Sequence, residues 1–173
     1  MTKYIAEYVW IGGTTELRSK ARTLISNSNE KPEPDDLPEW NFDGSSTKQA
    51  DGWASEVILK PVATYLCPFR KNNNILVLCD TYKPDGTPIF NNHRHSANNI
   101  FNQKLEEKPW YGMEQEFFMM NKKTGKPLGF PEDGEPAPQF QYYCSVGIAN
   151  AVGRALIDEH YEACLYSDLN ISG

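Results

Sequence analysis

Two glutamates one residue apart, in Glu114-Gln115-Glu116, are the sharpest chemical signal in the chain. On a strand, positions i and i+2 face one side, about 6.6 Å apart. Two carboxylates held that way cannot both be buried and ionised unless a cation lies beside them. Hard divalent ions such as Mg²⁺ or Mn²⁺ take such oxygen ligation. The competing reading is a solvated strand edge, with alternate acids facing water. Trp110, Tyr111 and Met113 on one side, and Phe117 to Met120 on the other, are too apolar for open surface. Asp43 opens the turn Asp43-Gly44-Ser45-Ser46. Turn chemistry alone accounts for it, or it presents a base or cation ligand to another surface. His93-Arg94-His95 offers too few ligands for a metal and reads as solvated surface. Cys144 and His160 read as a core thiol and a half-buried histidine. No phosphate-binding glycine loop, nucleophile elbow or zinc spacing occurs.

These residues need elements to hold them. Residues 3–11 alternate as a strand, Gly12-Gly13 turns, and residues 17–24 read as a strand paired back on the first. There Arg18, Lys20 and Arg22 lie on one face. The polar stretch Asn27 to Pro38 is a loop. Glu56–Val62 and Asn74–Tyr82 read as two further strands, so residues 3–85 form a small, mostly antiparallel β unit. Ala97, Ile100, Phe101 and Leu105 share a helical face, with Ser96 as N-cap. Trp110–Met120 reads as a strand and Lys122–Gly125 as a turn. Residues 126–141 read as a long loop, Ser145 to Tyr166 as a helix, and Leu169-Asn170-Ile171 as the start of a strand.

The 173 residues carry 17 basic and 23 acidic side chains, a net charge of −6. No basic footprint for nucleic acid or an anionic membrane is present. No apolar run approaches a membrane span, and an acid at Glu7 argues against an export signal; a cytoplasmic protein is expected. Cys67, Cys79, Cys144 and Cys164 then read as reduced, mostly buried thiols.

Taken in order, several segments resemble the N-terminal part of the eukaryotic-type glutamine synthetases. They begin with Tyr8-Val9-Trp10-Ile11-Gly12-Gly13 and Leu17-Arg18-Ser19-Lys20-Ala21-Arg22-Thr23-Leu24. Next comes Leu37-Pro38-Glu39-Trp40-Asn41-Phe42-Asp43-Gly44-Ser45-Ser46-Thr47. Then follow Ser55 to Pro61, Asn73 to Asp80, Trp110-Tyr111-Gly112-Met113-Glu114-Gln115-Glu116, Tyr142 to Gly147, and His160 to Tyr166. The last run is Asn170-Ile171-Ser172-Gly173.

The resemblance implies an α+β chain: a β-grasp domain over residues 3–86, then the start of an α/β catalytic domain over 93–173. The family joins ammonia to glutamate through a γ-glutamyl phosphate, using ATP and Mg²⁺ or Mn²⁺, in stacked rings of subunits. By position, Glu114 matches the acid on the nucleotide-side metal and Glu116 the one on the substrate-side metal. Trp110 borders the nucleotide. Asp43 matches the aspartate that binds and deprotonates ammonium in a neighbouring subunit's site. Phe140-Gln141 stands where the family has Gly-Pro, Phe130 where Trp is common and Ser145 where Gly is common.

In the family further ligands and phosphate-binding arginines lie past the point matching Gly173. The expectation is an incomplete catalytic domain, inactive alone, with residues 87–173 poorly packed and 3–85 able to fold. Two other readings stand beside it: a non-catalytic module entering rings of full-length subunits, and a free divalent-cation binder resting on Glu114 and Glu116.

Overall fold

A computed structural model describes residues 1–28 and 30–172. Asn29, in the polar stretch read as a loop, and Gly173, the last residue of the resembling run, lie outside the described residues. Contacts divide the chain into two compact units, Met1–Lys108 with Tyr166–Gly173, and Pro109–Leu165.

The first unit is built on one five-stranded sheet. Strand β1 (Thr2–Ile11) alternates as its sequence requires, burying Tyr4, Ala6, Tyr8 and Trp10 on one face. Strand β2 (Leu17–Ser26) pairs back on it antiparallel, from Thr2 opposite Ser26 to Ile11 opposite Leu17. A four-residue strand that sequence reasoning missed, β3 (Trp40–Asp43), pairs antiparallel with β4 (Glu56–Leu66). Strand β5 (Ile75–Tyr82) pairs antiparallel with β4 and parallel with β1, giving the order β2-β1-β5-β4-β3. The β4–β5 register shifts between Pro61 and Ala63, where proline supplies no N–H to the ladder.

The sheet curls around its aromatic face. Tyr8 meets Trp40 edge-on at 5.5 Å and Trp10 lies against Phe42 at 4.5 Å. Leu59, Ile75, Val77 and Cys79 complete the core. The curl brings the sheet's two ends together: Lys20 Nζ on β2 donates to the Asn41 carbonyl on β3 at 2.9 Å.

Helix α1 (His93–Phe101) starts earlier than expected. Its N-cap is Asn92, not Ser96, because the Asn92 side chain accepts from His95 N at 3.2 Å. The same side chain donates to Thr81 O at 3.0 Å, tying the helix start to β5. Arg94 pairs with the largely buried Asp80 at 3.4 Å. The Tyr166 hydroxyl donates to Asn72 O, and that of Ser167 to Leu66 O. The strand expected at Leu169–Ile171 is not formed.

In the second unit the described residues form no strand. The strand expected over Trp110–Met120 is absent, because a strand is held by neighbours and only Met120 finds one, a bridge to Pro127 around the Lys122–Gly125 turn. Helix α2 (Arg154–Tyr166) is shorter than the expected Ser145–Tyr166. Gly147 and Gly153 adopt φ of 89° and 85°, which a right-handed helix cannot continue through. Residues Gln139–Gln141, which include the Phe140-Gln141 pair, form a single 3₁₀ turn closed by Tyr142 N on Gln139 O. All four cysteines are free thiols; Cys67 and Cys79 are buried as expected, whereas Cys144 is exposed and Cys164 half-exposed.

Candidate functional site

Asp43 sits where β3 ends. It is the N-cap of the 3₁₀ turn Gly44–Thr47, and its Oδ1 accepts from Ser45 N at 3.0 Å and Ser45 Oγ at 2.6 Å. The Ser45 hydroxyl, its backbone N–H and, to a lesser extent, Ser55 and Ser46 hold the exposed carboxyl below the usual aspartate range. Asp43 therefore stands ionised and accepting, a group suited to hold a cation.

The turn behind it is rigid for steric reasons. Gly44 is buried; a Cβ there would come within 2.5 Å of the Val57 side chain and 2.9 Å of Ala50. Gly44 N donates to Ser55 O, and Gly44 O accepts from Gln49 N and the Thr47 hydroxyl. A second close approach anchors the loop to the β1–β2 turn. Gly13 N donates to Thr47 O, and a Cβ on Gly13 would lie 2.3 Å from that oxygen. Gln49 Nε2 bonds Ile11 O and Asn91 Nδ2 bonds Gly12 O. Asp43 is thus an exposed carboxylate on a buried, cross-braced base.

Glu114 and Glu116 lie in the second unit. Without a strand beneath them they do not share the pleated face that their spacing suggested; both are exposed. Trp110 is 98% exposed, so the apolar flanks do not enclose the acids. The two carboxylates suit Mg²⁺ or Mn²⁺ in kind but not in number, since these ions take about six oxygens. Among the described residues no third His, Cys, Asp or Glu completes a metal cluster.

Two of the histidines do other work. His95 Nδ1 meets the Tyr82 hydroxyl at 3.1 Å and its Nε2 meets Asn99 Nδ2 at 3.1 Å. His160 lies edge-on to Phe117 at 6.3 Å and 3.6 Å from Cys164 Sγ, one turn along α2. Sequence reasoning found the basic face of β2 but not its partner: Lys20 and Arg22 both stand over the Trp40 ring. Trp40 is far from them in the chain, and only the curl of the sheet joins them.

Residues 7–84 match the glutamine synthetase β-grasp domain family. Over 174 aligned positions, 99% of the chain, the sequence is 54% identical to glutamine synthetase cytosolic isozyme 1-1 of Oryza sativa. Over the same length it is 53% identical to cytosolic isozyme 1-3 of Arabidopsis thaliana and to the nodule isozyme of Lupinus luteus. The chain spans about half the length of these relatives, 48% in each case. No helix among the described residues is long and apolar enough to cross a membrane.

Proposed function

Residues 7–84 belong to the glutamine synthetase β-grasp family, and from that premise we propose that this chain is the N-terminal portion of a ligase joining ammonia to glutamate. The observation that carries the reading is the 54% identity to a glutamine synthetase over 99% of the chain. In this reading ATP phosphorylates the side-chain carboxylate of glutamate, ammonia displaces the phosphate, and the subunits form stacked rings in the cytoplasm.

Asp43 binds the ammonium ion. Its carboxyl is held ionised by Ser45, so it is a good cation acceptor and a weak base. Ammonium has no free electron pair, so it gives a proton to Asp43 before its nitrogen attacks the carbonyl carbon of the acyl phosphate and phosphate leaves. The exposed position on a braced loop suits a group that acts across a subunit contact. Glu114 contributes an oxygen ligand on the nucleotide side, where Trp110 borders the adenine nucleotide, and Glu116 contributes one on the substrate side. When bound, Mg²⁺ or Mn²⁺ offsets the crowded negative charge of phosphate and carboxylates. Donors beyond these two glutamates must complete each site.

A chimera tests this. Residues 1–173 are joined to the remaining half of the rice isozyme, and glutamine formation is assayed with ATP, Mg²⁺, glutamate and ammonium. The chimera is expected to make glutamine, residues 1–173 alone to make none, and Asp43→Ala to lower the chimera's kcat by about 100-fold or more. A folded, assembled chimera without synthetase activity would overturn the reading.

A further inference from the structure

We propose that Lys20 and Arg22, standing over Trp40 where the two ends of the sheet meet, form a binding seat for a small oxyanion, a phosphate or a carboxylate. The Lys20 ammonium lies 3.7 Å from the centre of the Trp40 ring and the Arg22 guanidinium carbon 5.0 Å from it. Both side chains are half-buried. Two half-buried cations therefore share one aromatic ring and repel each other.

Neighbouring positions show what is missing. Arg18, two residues back on the same face, is matched by Glu16 at 2.6 Å, and Lys60 by Glu39 at 3.5 Å. Among the described residues neither Lys20 nor Arg22 has such an ion pair. Lys20 spends one N–H on the Asn41 carbonyl, which leaves it two donors. Arg22 has five, arranged in the fork that matches a planar or tetrahedral oxyanion. Burial, with the Arg22 charge beside it, pushes the Lys20 ammonium below the usual lysine range. An anion between the two would reverse that strain. A purely structural role, cation–π closure of the sheet, accounts for the stacking on Trp40 but not for two cations there without a counter-ion.

The test is a titration of residues 1–173 with sodium phosphate, and separately with sodium acetate, at ionic strength held constant with sodium chloride. The Trp40 indole N–H and Lys20 ammonium resonances are followed. Saturable shifts are expected with phosphate, with acetate or with both, and the anion that saturates names the class. Arg22→Gln and Lys20→Gln are each expected to weaken binding at least tenfold, with Arg22→Lys, which keeps the charge but loses the fork, weakening it less than Arg22→Gln. Near-UV circular dichroism confirms that each variant is folded, and whichever folds carries the comparison. Linear shifts in both salts, or unchanged affinity in a folded glutamine variant, would overturn the proposal.

Discussion

Asp43 is exposed and Glu16 half-buried, and hydroxyl donors hold each in its ionised form. Glu16 accepts from Thr14 Oγ1 at 2.6 Å, Thr14 N at 2.9 Å and Arg18 Nε at 2.6 Å, and these bonds pull its carboxyl down from 4.5 to about 2. A carboxyl whose folded value is depressed contributes stability above its unfolded value, and that contribution is lost as pH falls through the folded value. The β1–β2 turn should therefore weaken between pH 4.5 and about 2. Unfolding titrations across that range should show a stability slope that Glu16→Gln flattens; equal slopes in both proteins would refute the assignment. At Asp43 the same logic bears on chemistry: Ser45→Ala removes its 2.6 Å hydroxyl bond. In the chimera that change should raise KM for ammonium more than it lowers kcat, because the carboxylate persists but is less firmly held.

At the level of elements, the loop that presents Asp43 depends on two glycines where backbone meets backbone or core. Gly44→Ala drives a methyl into Val57 and Ala50, and Gly13→Ala drives one into the Thr47 carbonyl. Each should cost about 1–3 kcal/mol of the first unit's stability, read from urea denaturation followed by the buried tryptophan Trp10. Gly52→Ala, with nothing within 4 Å of its Cβ, should cost far less. Much of this element level was legible in the residues. Alternation in β1 and β2, the Gly-Gly turn, the Asp-Gly turn, the start of β4 and the span of β5 to within a residue all follow from local pattern, whereas β4 runs past its expected end at Val62 to Leu66. Strand β3 was not, because four residues are too short to establish a period and its pairing depends on β4. The strand expected at Trp110–Met120 failed for the converse reason: an apolar run has the composition of a strand, but only a partner makes it one. Glu114 and Glu116 therefore keep their chemistry without the shared face. The pairing of Lys20 and Arg22 with Trp40 could not be read at all, since it arises from curvature.

For the molecule as a whole, burial is sharply uneven. Among the described residues, every buried one lies within the first 91 positions except Ser167, and none falls between residues 92 and 166. Phe118, Phe140 and Ile148 are 81%, 93% and 97% exposed. Segments with so little buried area open at low cost. Limited proteolysis should cut within residues 109–153 first and leave a resistant product reaching from Met1 past Tyr82; early cleavage inside β1 or β5 would contradict this.

The parallel pairing of β1 with β5, Ala6 beside Ile75 through Val9 beside Leu78, also sets how the first unit answers force. Tension applied at Met1 and beyond Tyr82 drives these neighbours past each other along their length. Their hydrogen bonds are then loaded together in shear. The β1–β2 hairpin, pulled at its open end, peels one bond at a time like a zipper. The sheet thus holds a mechanical clamp at its centre and a tear strip at its edge.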